Sequence, residues 1–213
     1  MSAVTKICLV RHGETAWNAE RRLQGHEDIP LNALGERQAQ AAALALRHTR
    51  FDAIYSSDLV RAMRTAQTIA APHALPVHSD ARLRERHFGA LQGLTRDEAD
   101  ARLPGEYARF RCLEPDACPP GGGEALARFA QRVHGALDAL ATRHAGQQIL
   151  LVSHGGCLDV IYRLVTGKPL ETARDFPLGN ATLNWIEQRH AIWRLVEWDA
   201  RQHLDRSADE LPI

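Results

Sequence analysis

Two histidines in this chain stand directly after short apolar runs. His12 ends Ile7-Cys8-Leu9-Val10-Arg11-His12, and His154 ends Ile149-Leu150-Leu151-Val152-Ser153-His154. Each is followed by glycine, at Gly13 and at Gly155-Gly156. Arg11 adjoins the first histidine, and Arg61 follows a third apolar stretch, Phe51 to Ser56. Two imidazoles, two guanidiniums and glycine-rich turns suit a dianionic tetrahedral group such as a phosphoryl group. Arginine offers that group a planar, permanently charged fork, and glycines let backbone N–H groups approach its oxygens. A neutral imidazole can attack phosphorus and form a phosphoramidate, dividing one displacement into two. The leaving alkoxide then needs a proton donor within hydrogen-bond reach. Glu85, in Leu83-Arg84-Glu85-Arg86-His87-Phe88-Gly89, follows a predicted strand around Val77 and reaches the same rim; Glu14 and Glu98 are the alternative carboxyls. Like charge on a bound phosphate favours the protonated, donating form of a neighbouring carboxyl.

These side chains need a scaffold that gathers them. The runs at 7–10 and 149–152 are short, rich in β-branched residues and stopped by glycine, the pattern of buried strands. Between them the pattern changes to helical. A helix is predicted from Asn32 to about His48, and a second after Phe51–Ser56, capped by Ser57 or Asp58, with Leu59, Ala62, Met63, Ala66 and Ile69 on one face. Leu126, Phe129, Ala130, Val133, Leu137 and Leu140 mark a long helix, and another runs from Cys157 to about Val165. Thr182–Glu187 and Ile192–Trp198 read as a terminal pair of strands. Strands alternating with helices predict an α/β fold, a three-layer α/β/α sandwich around a mostly parallel sheet. Ligands of such sheets bind beyond the carboxyl ends of the strands, where both histidines fall. Residues 1–213 read as one domain. About 89–123, with Pro104, Pro115, Pro119, Pro120 and Gly121-Gly122-Gly123, reads as a lid-like insertion, and the tail from about 199 as peripheral.

Beyond its chemistry, the stretch Leu9-Val10-Arg11-His12-Gly13-Glu14-Thr15-Ala16-Trp17-Asn18 resembles the signature opening of the histidine phosphatase (phosphoglycerate mutase-like) superfamily. The likeness continues in family order through Leu23-Gln24-Gly25, Asp28-Ile29-Pro30-Leu31, Gly35-Glu36-Arg37-Gln38-Ala39, Ser56-Ser57-Asp58-Leu59, Arg61-Ala62, Thr65-Ala66, Leu83-Arg84-Glu85, Pro119-Pro120-Gly121-Gly122, Ser153-His154-Gly155-Gly156 and Gly179-Asn180-Ala181-Thr182. The resemblance implies that His12 is the nucleophile, that Arg11, Arg61 and His154 bind phosphate, and that Glu85 is the proton donor. It places Thr15 and Asn18 near the phosphoryl oxygens, with Gln24 and Gly25 among the substrate contacts, and it implies no metal or organic cofactor. Gly155 belongs with the substrate-binding set, and His87, beside Glu85, either contacts substrate or is simply exposed. Asn32 stands where the family often has Thr or Ser, a change that touches a helix cap. Residues 95–123 are fewer than the substrate-enclosing insertion of cofactor-dependent mutases, and 119–124 resembles small phosphatases of the α-ribazole phosphatase and broad-specificity kind. A mutase must keep water from its phosphoenzyme, so a short cover argues for hydrolysis of small-molecule phosphate esters, with inorganic phosphate as product. The rivals are a primer-dependent phosphoglycerate mutase and a catalytically silent phospholigand-binding protein. Sugar phosphates, phosphoglycerates and an α-ribazole-type phosphate are all admissible substrates.

Composition bounds the setting. Formal net charge is zero over 213 residues, so no global field draws the chain to nucleic acid or a membrane, and any anion is held by local cations. The four cysteines, Cys8, Cys112, Cys118 and Cys157, have no zinc-ligand spacing; Cys8 reads as a buried hydrophobe, and Cys112 and Cys118 as a reduced pair. The opening MSAVTKICLVRHGE lacks the charged leader and apolar stretch of a signal peptide, and no window approaches the roughly 18 apolar residues of a membrane span, so the expected address is cytoplasmic. His48, His73, His78, His134, His144, His190 and His203 read as solvated surface rather than metal ligands, and His26 as non-catalytic. Trp185, Trp193 and Trp198 read as packing, while Trp17 could wall the pocket or join the core. The last strand is an edge on which a second copy could pair, making a homodimer.

Overall fold

The computed structural model describes residues 4–204. Six strands, β1 (Thr5–Arg11), β2 (Ala53–Ser56), β3 (Val77–Ser79), β4 (Gln148–Ser153), β5 (Leu183–Arg189) and β6 (Ile192–Ala200), form one sheet in the order β3-β2-β4-β1-β5-β6. The first four run parallel, and β5 and β6 close the sheet as an antiparallel hairpin. Seven helices accompany them: α1 (Ala16–Ala19), α2 (Ala33–Leu46), α3 (Val60–Ala70), α4 (Arg96–Arg102), α5 (Pro104–Arg111), α6 (Leu126–Arg143) and α7 (Gly155–Thr166).

Alternation along the central strands divides the core. Ile7, Leu9, Ile149 and Leu151 face α6 and α7, where Phe129, Val133, Leu137 and Ile161 meet them. Cys8, Val10, Leu150 and Val152 face α2 and α3, against Ala42, Leu46, Ala62, Ala66 and Ile69. Helices therefore cover both faces, the arrangement a mostly parallel sheet requires. Each fully buried Leu, Ile or Val contributes on the order of 1.5–3 kcal/mol, so the unbroken apolar runs of β1 and β4 occupy the centre of the sheet. The β1–α1 turn meets the start of α2 backbone to backbone. A Cβ on Gly13 would lie 2.4 Å from Gly35 O, and one on Gly35 would lie 2.1 Å from Glu14 O. Any side chain there would separate the turn that carries His12 from α2.

Some sequence expectations need correction. Neither Ser57 nor Asp58 caps α3: the N-cap is Leu59, without a side-chain bond, and the Val60 N–H donates to Asp28 Oδ1 at 2.7 Å. The cap comes from a loop 32 residues upstream, leaving Asp58 to pair with Arg84. Arg61 lies in the first turn of α3, and α7 begins at Gly155, two residues before Cys157. Residues 89–123 are partly helical, holding a short 3-10 turn (Gly89–Leu91), α4 and α5. His73, His134, His144 and His203 are half-buried rather than solvated: His73 packs edge-on against Phe51, His134 bonds Val160 O, His144 meets the Tyr55 hydroxyl at 2.9 Å, and His203 bonds Ala181 O. Asn32 does cap α2 through Gly35 N, and it also donates to Glu14 Oε1. Among the tryptophans, Trp185 stacks on Phe51, Trp198 packs on Tyr162 and Phe176, and Trp17 lies against Gly93. Residues 205–213, most of the tail expected to be peripheral, and residues 1–3 of the N-terminus lie outside the described residues.

Among the described residues no helix is long and apolar enough to cross a membrane, and no group of His, Cys, Asp and Glu could hold a metal ion. All four cysteines are free thiols, Cys8 and Cys157 buried, Cys112 and Cys118 exposed.

Candidate active site

Parallel pairing of β1 with β4 brings the two histidines together. Arg11 lies opposite Ser153 in the register, and the next N–H, that of His12, donates to Ser153 O at 2.9 Å. Both strands end there, and the His12 and His154 rings lie 5.2 Å apart, centre to centre. Both are buried. His12 Nδ1 lies 2.7 Å from Gly13 O. A carbonyl can only accept, so the ring proton sits on Nδ1 and the lone pair on Nε2. Burial first, then the charges of Arg61 and Arg11, push His12 well below its ordinary value, so the ring is neutral near pH 7. The turn is fixed from two sides: Gly13 N–H donates to Thr65 Oγ1, and Asn180 Nδ2 donates to His12 O.

Three nitrogens around this imidazole are buried and have no hydrogen-bond partner: Nε of Arg11, Nε of Arg61 and Nδ1 of His154. They come from the end of β1, the first turn of α3 and the N-cap of α7. Three other guanidinium nitrogens bond carbonyls. Arg11 Nη1 donates to Leu178 O, while Arg61 Nη1 and Nη2 donate to Glu27 O and Gly25 O. Burial pulls Arg11 down to about 10 and lowers Arg61, with Glu85 opposing in each case; both stay charged at neutral pH. A buried Arg61 and a half-buried Arg11, neither with an ion pair among the described residues, are costly unless the site receives an anion.

Glu85 sits at the same rim, each carboxylate oxygen accepting a backbone N–H at 2.9 Å: Oε1 from Arg86, Oε2 from Gly156. Its own carbonyl accepts from His26 Nε2 and Arg132 Nη2. Arg132 also donates to Arg82 O and Arg84 O and pairs with Glu124, so one guanidinium braces the turn carrying Glu85. The two alternative carboxyls are engaged elsewhere, Glu14 with Asn32 and Glu98 with Arg22.

Gln24 and Gly25 border Arg61: the Gly25 carbonyl holds its guanidinium, and Gln24 Oε1 is buried without a partner. Gly155 backs onto Arg11, since a Cβ there would lie 3.4 Å from Arg11 Nε. Thr15 and Asn18 form the capping box of α1, and Asn18 Oδ1 also lies 3.4 Å from Asn180 Nδ2. His87 is half-buried against the His26 ring, its Nδ1 accepting Gly89 N–H. Sequence reasoning gave no role at the site to Thr65, Asn180, Arg132 or Ser57, whose hydroxyl lies 2.8 Å from His154 Nε2. Ser57, Thr65 and Asn180 stand within the motifs that carry the family resemblance; nothing local marks Arg132.

Comparison with known proteins identifies the family. The family described as Histidine phosphatase superfamily (branch 1) matches residues 7–201. A metal-independent phosphoserine phosphatase from Arabidopsis thaliana is 40% identical over 208 residues, spanning 95% of this chain and 84% of that protein. A probable phosphoglycerate mutase, GpmB, from Klebsiella pneumoniae is 37% identical, spanning 97% of this chain and 98% of its own length. The crystal structure of the α-ribazole phosphatase from Shigella flexneri superposes with a TM-score of 0.84 at 30% identity, covering 92% of this chain and 96% of that one.

Proposed function

The chain belongs to the histidine phosphatase superfamily (branch 1), and from that premise we propose that it hydrolyses small-molecule phosphate monoesters through a phosphohistidine on His12. The observation that carries the reading is the neutral His12, its Nε2 lone pair directed by the Nδ1–H bond, set among three unpartnered nitrogens. Arg11, Arg61 and His154 hold the phosphoryl oxygens, where charge accumulates in the transition state. His12 Nε2 forms a bond to phosphorus as the ester P–O bond breaks, and Glu85 gives its proton to the departing alkoxide. In the second half, Glu85 takes a proton from water as that water's oxygen bonds phosphorus and the N–P bond breaks. Inorganic phosphate leaves and His12 is restored. No step passes through a metal or organic cofactor. Gln24, Gly25, Thr15, Asn18, Gly155 and His87 form the substrate-binding surround in this reading, and 89–123 acts as its cover, fastened by Arg86 to Glu124 O and Ala117 O. Reduced hydrogen exchange in 89–123 on adding vanadate is the expected sign of that cover.

His12→Ala is expected to abolish acid-labile labelling by a ³²P-phosphodonor; labelling that persists would overturn the assignment. The relatedness to GpmB keeps a mutase reading in view. A phosphoester panel with and without 2,3-bisphosphoglycerate separates them, since primer-independent phosphate release marks the hydrolase and primer-dependent transfer the mutase. Ligand binding with no turnover across that panel would identify a silent binder instead. The proposal includes a cytoplasmic setting, tested by cell fractionation, and a homodimer through the edge of β6, where Ile192 and Val196 are 66% and 59% exposed, tested by sedimentation.

A further inference from the structure

Ser57 directly follows β2, and its N–H donates to Val152 O on β4, so continued strand pairing fixes its place beside His154. The hydroxyl is 2.8 Å from His154 Nε2, and both side chains are fully buried. The same hydroxyl accepts the Leu59 N–H at 3.3 Å. A serine hydroxyl has one proton to give and two lone pairs to offer. Leu59 takes one lone pair, and among the described residues no other acceptor bonds this hydroxyl, so its proton goes to His154 Nε2. The ring's own proton then sits on Nδ1, the atom buried without a partner alongside Arg11 Nε and Arg61 Nε. The opposite tautomer strands the serine proton and turns a lone pair toward the anion the site is built to hold. Burial, with the charges of Arg61, His12 and Arg11 behind it, keeps the ring from taking a second proton.

We propose that Ser57 is a positioning residue whose hydroxyl locks His154 as the Nδ1–H tautomer, making a neutral imidazole the third donor to the phosphoryl group. The role in turnover rests on the phosphohistidine reading above; the tautomer does not. Arg61, in the first turn of α3, lies four residues after Ser57, so one short segment supplies a phosphate ligand and sets the protonation of another.

The test is the histidine ¹⁵N spectrum of the intact chain near pH 7.5, with His154 assigned by its loss in His154→Gln. A protonated Nδ1 and an unprotonated Nε2 are expected. In Ser57→Ala the ring should shift toward the other tautomer, kcat/KM should fall about 10- to 100-fold, and vanadate inhibition should weaken by a similar factor. Ser57→Thr keeps the hydroxyl and should hold the wild-type tautomer and most of the rate. An Nε2–H ring in the wild type overturns the proposal, as does a Ser57→Ala protein that loses rate with its tautomer unchanged. If Ser57→Ala does not fold, the wild-type spectrum still decides. A wild-type Nδ1–H ring in a chain that hydrolyses no phosphoester would sink the phosphatase reading and leave the hold of Ser57 on the ring standing.

Discussion

A methyl group on Gly156 tests the proton donor without altering it. Gly156 is the second residue of α7, and a Cβ built there lies 2.2 Å from Glu85 Oε1, 3.1 Å from its Cδ and 3.3 Å from Phe129 Cε1. An ordinary contact begins near 3.4 Å, so the carboxylate must retreat by about 1.2 Å. It cannot do so and keep both of its 2.9 Å bonds, to Arg86 N–H and Gly156 N–H. Displacing a catalytic group by about 1 Å costs on the order of 100-fold in rate, roughly 2.7 kcal/mol of transition-state stabilisation. Gly156→Ala should therefore lower kcat/KM about 100-fold for alkyl phosphates, whose leaving groups need a proton. For p-nitrophenyl phosphate, whose leaving group does not, the loss should stay under about 10-fold. Alanine favours a helix over glycine by up to about 1 kcal/mol, which offsets part of the about 1–3 kcal/mol lost where a backbone N–H is released, so the melting temperature should fall only modestly. Steady-state kinetics on both substrate types, with a thermal melt of the same preparation, makes the measurement. Equal losses for the two leaving groups, or no loss with the fold intact, would refute the reasoning.

Glu85→Gln should show the same leaving-group bias in kinetics. It should also cost about 1–3 kcal/mol of stability by denaturant titration, because one N–H now held by a carboxylate oxygen would face an amide NH2. Acid should destabilise the fold early. His12 and His154 are held well below 6.5 in the folded state, so the unfolded chain binds protons that the folded chain refuses. Their stability is intact above pH 6.5 and is lost as pH falls from there, approaching about 2.7 kcal/mol per pH unit for the pair. Urea midpoints between pH 7.5 and 5.5 check this, and a flat profile would contradict the two neutral histidines. Asn32→Ala removes the side-chain cap on Gly35 N and should cost about 1 kcal/mol in the same titration.

What the sequence disclosed and what it hid follow from the range of the interactions. The runs at 7–10 and 149–152 disclosed β1 and β4 because two-sided burial leaves no polar position to interrupt them, and the residues after each run had to share a rim. The terminal pair of strands was legible as two stretches, and its antiparallel pairing closes the sheet beyond β1. The cap of α3 was not legible, because Ser57 and Asp58 are the usual cap residue types in the usual place while the donor's partner, Asp28, is brought in by tertiary packing. Ser57, released from that duty, reaches His154 across 97 residues of chain. Asn180, which holds the His12 carbonyl from 168 residues away, carries no periodic or spacing signal of its own. Local patterns fixed the strands and helices; the partners of individual polar atoms were set only when distant segments met.

Arg132 has a consequence for how this scaffold can change. Its guanidinium grips the carbonyls of Arg82, Arg84 and Glu85 with one edge and Glu124 with the other, while Arg86 fastens Ala117 and Glu124 from the opposite side. Substitutions between 117 and 124 that would admit a bulkier alcohol therefore tug on Glu85, the proton donor in the proposed reading, as well. In the proposed reading selectivity and turnover are mechanically geared, so a lineage drifting toward a new ester would have to re-tension this joint before recovering its former speed.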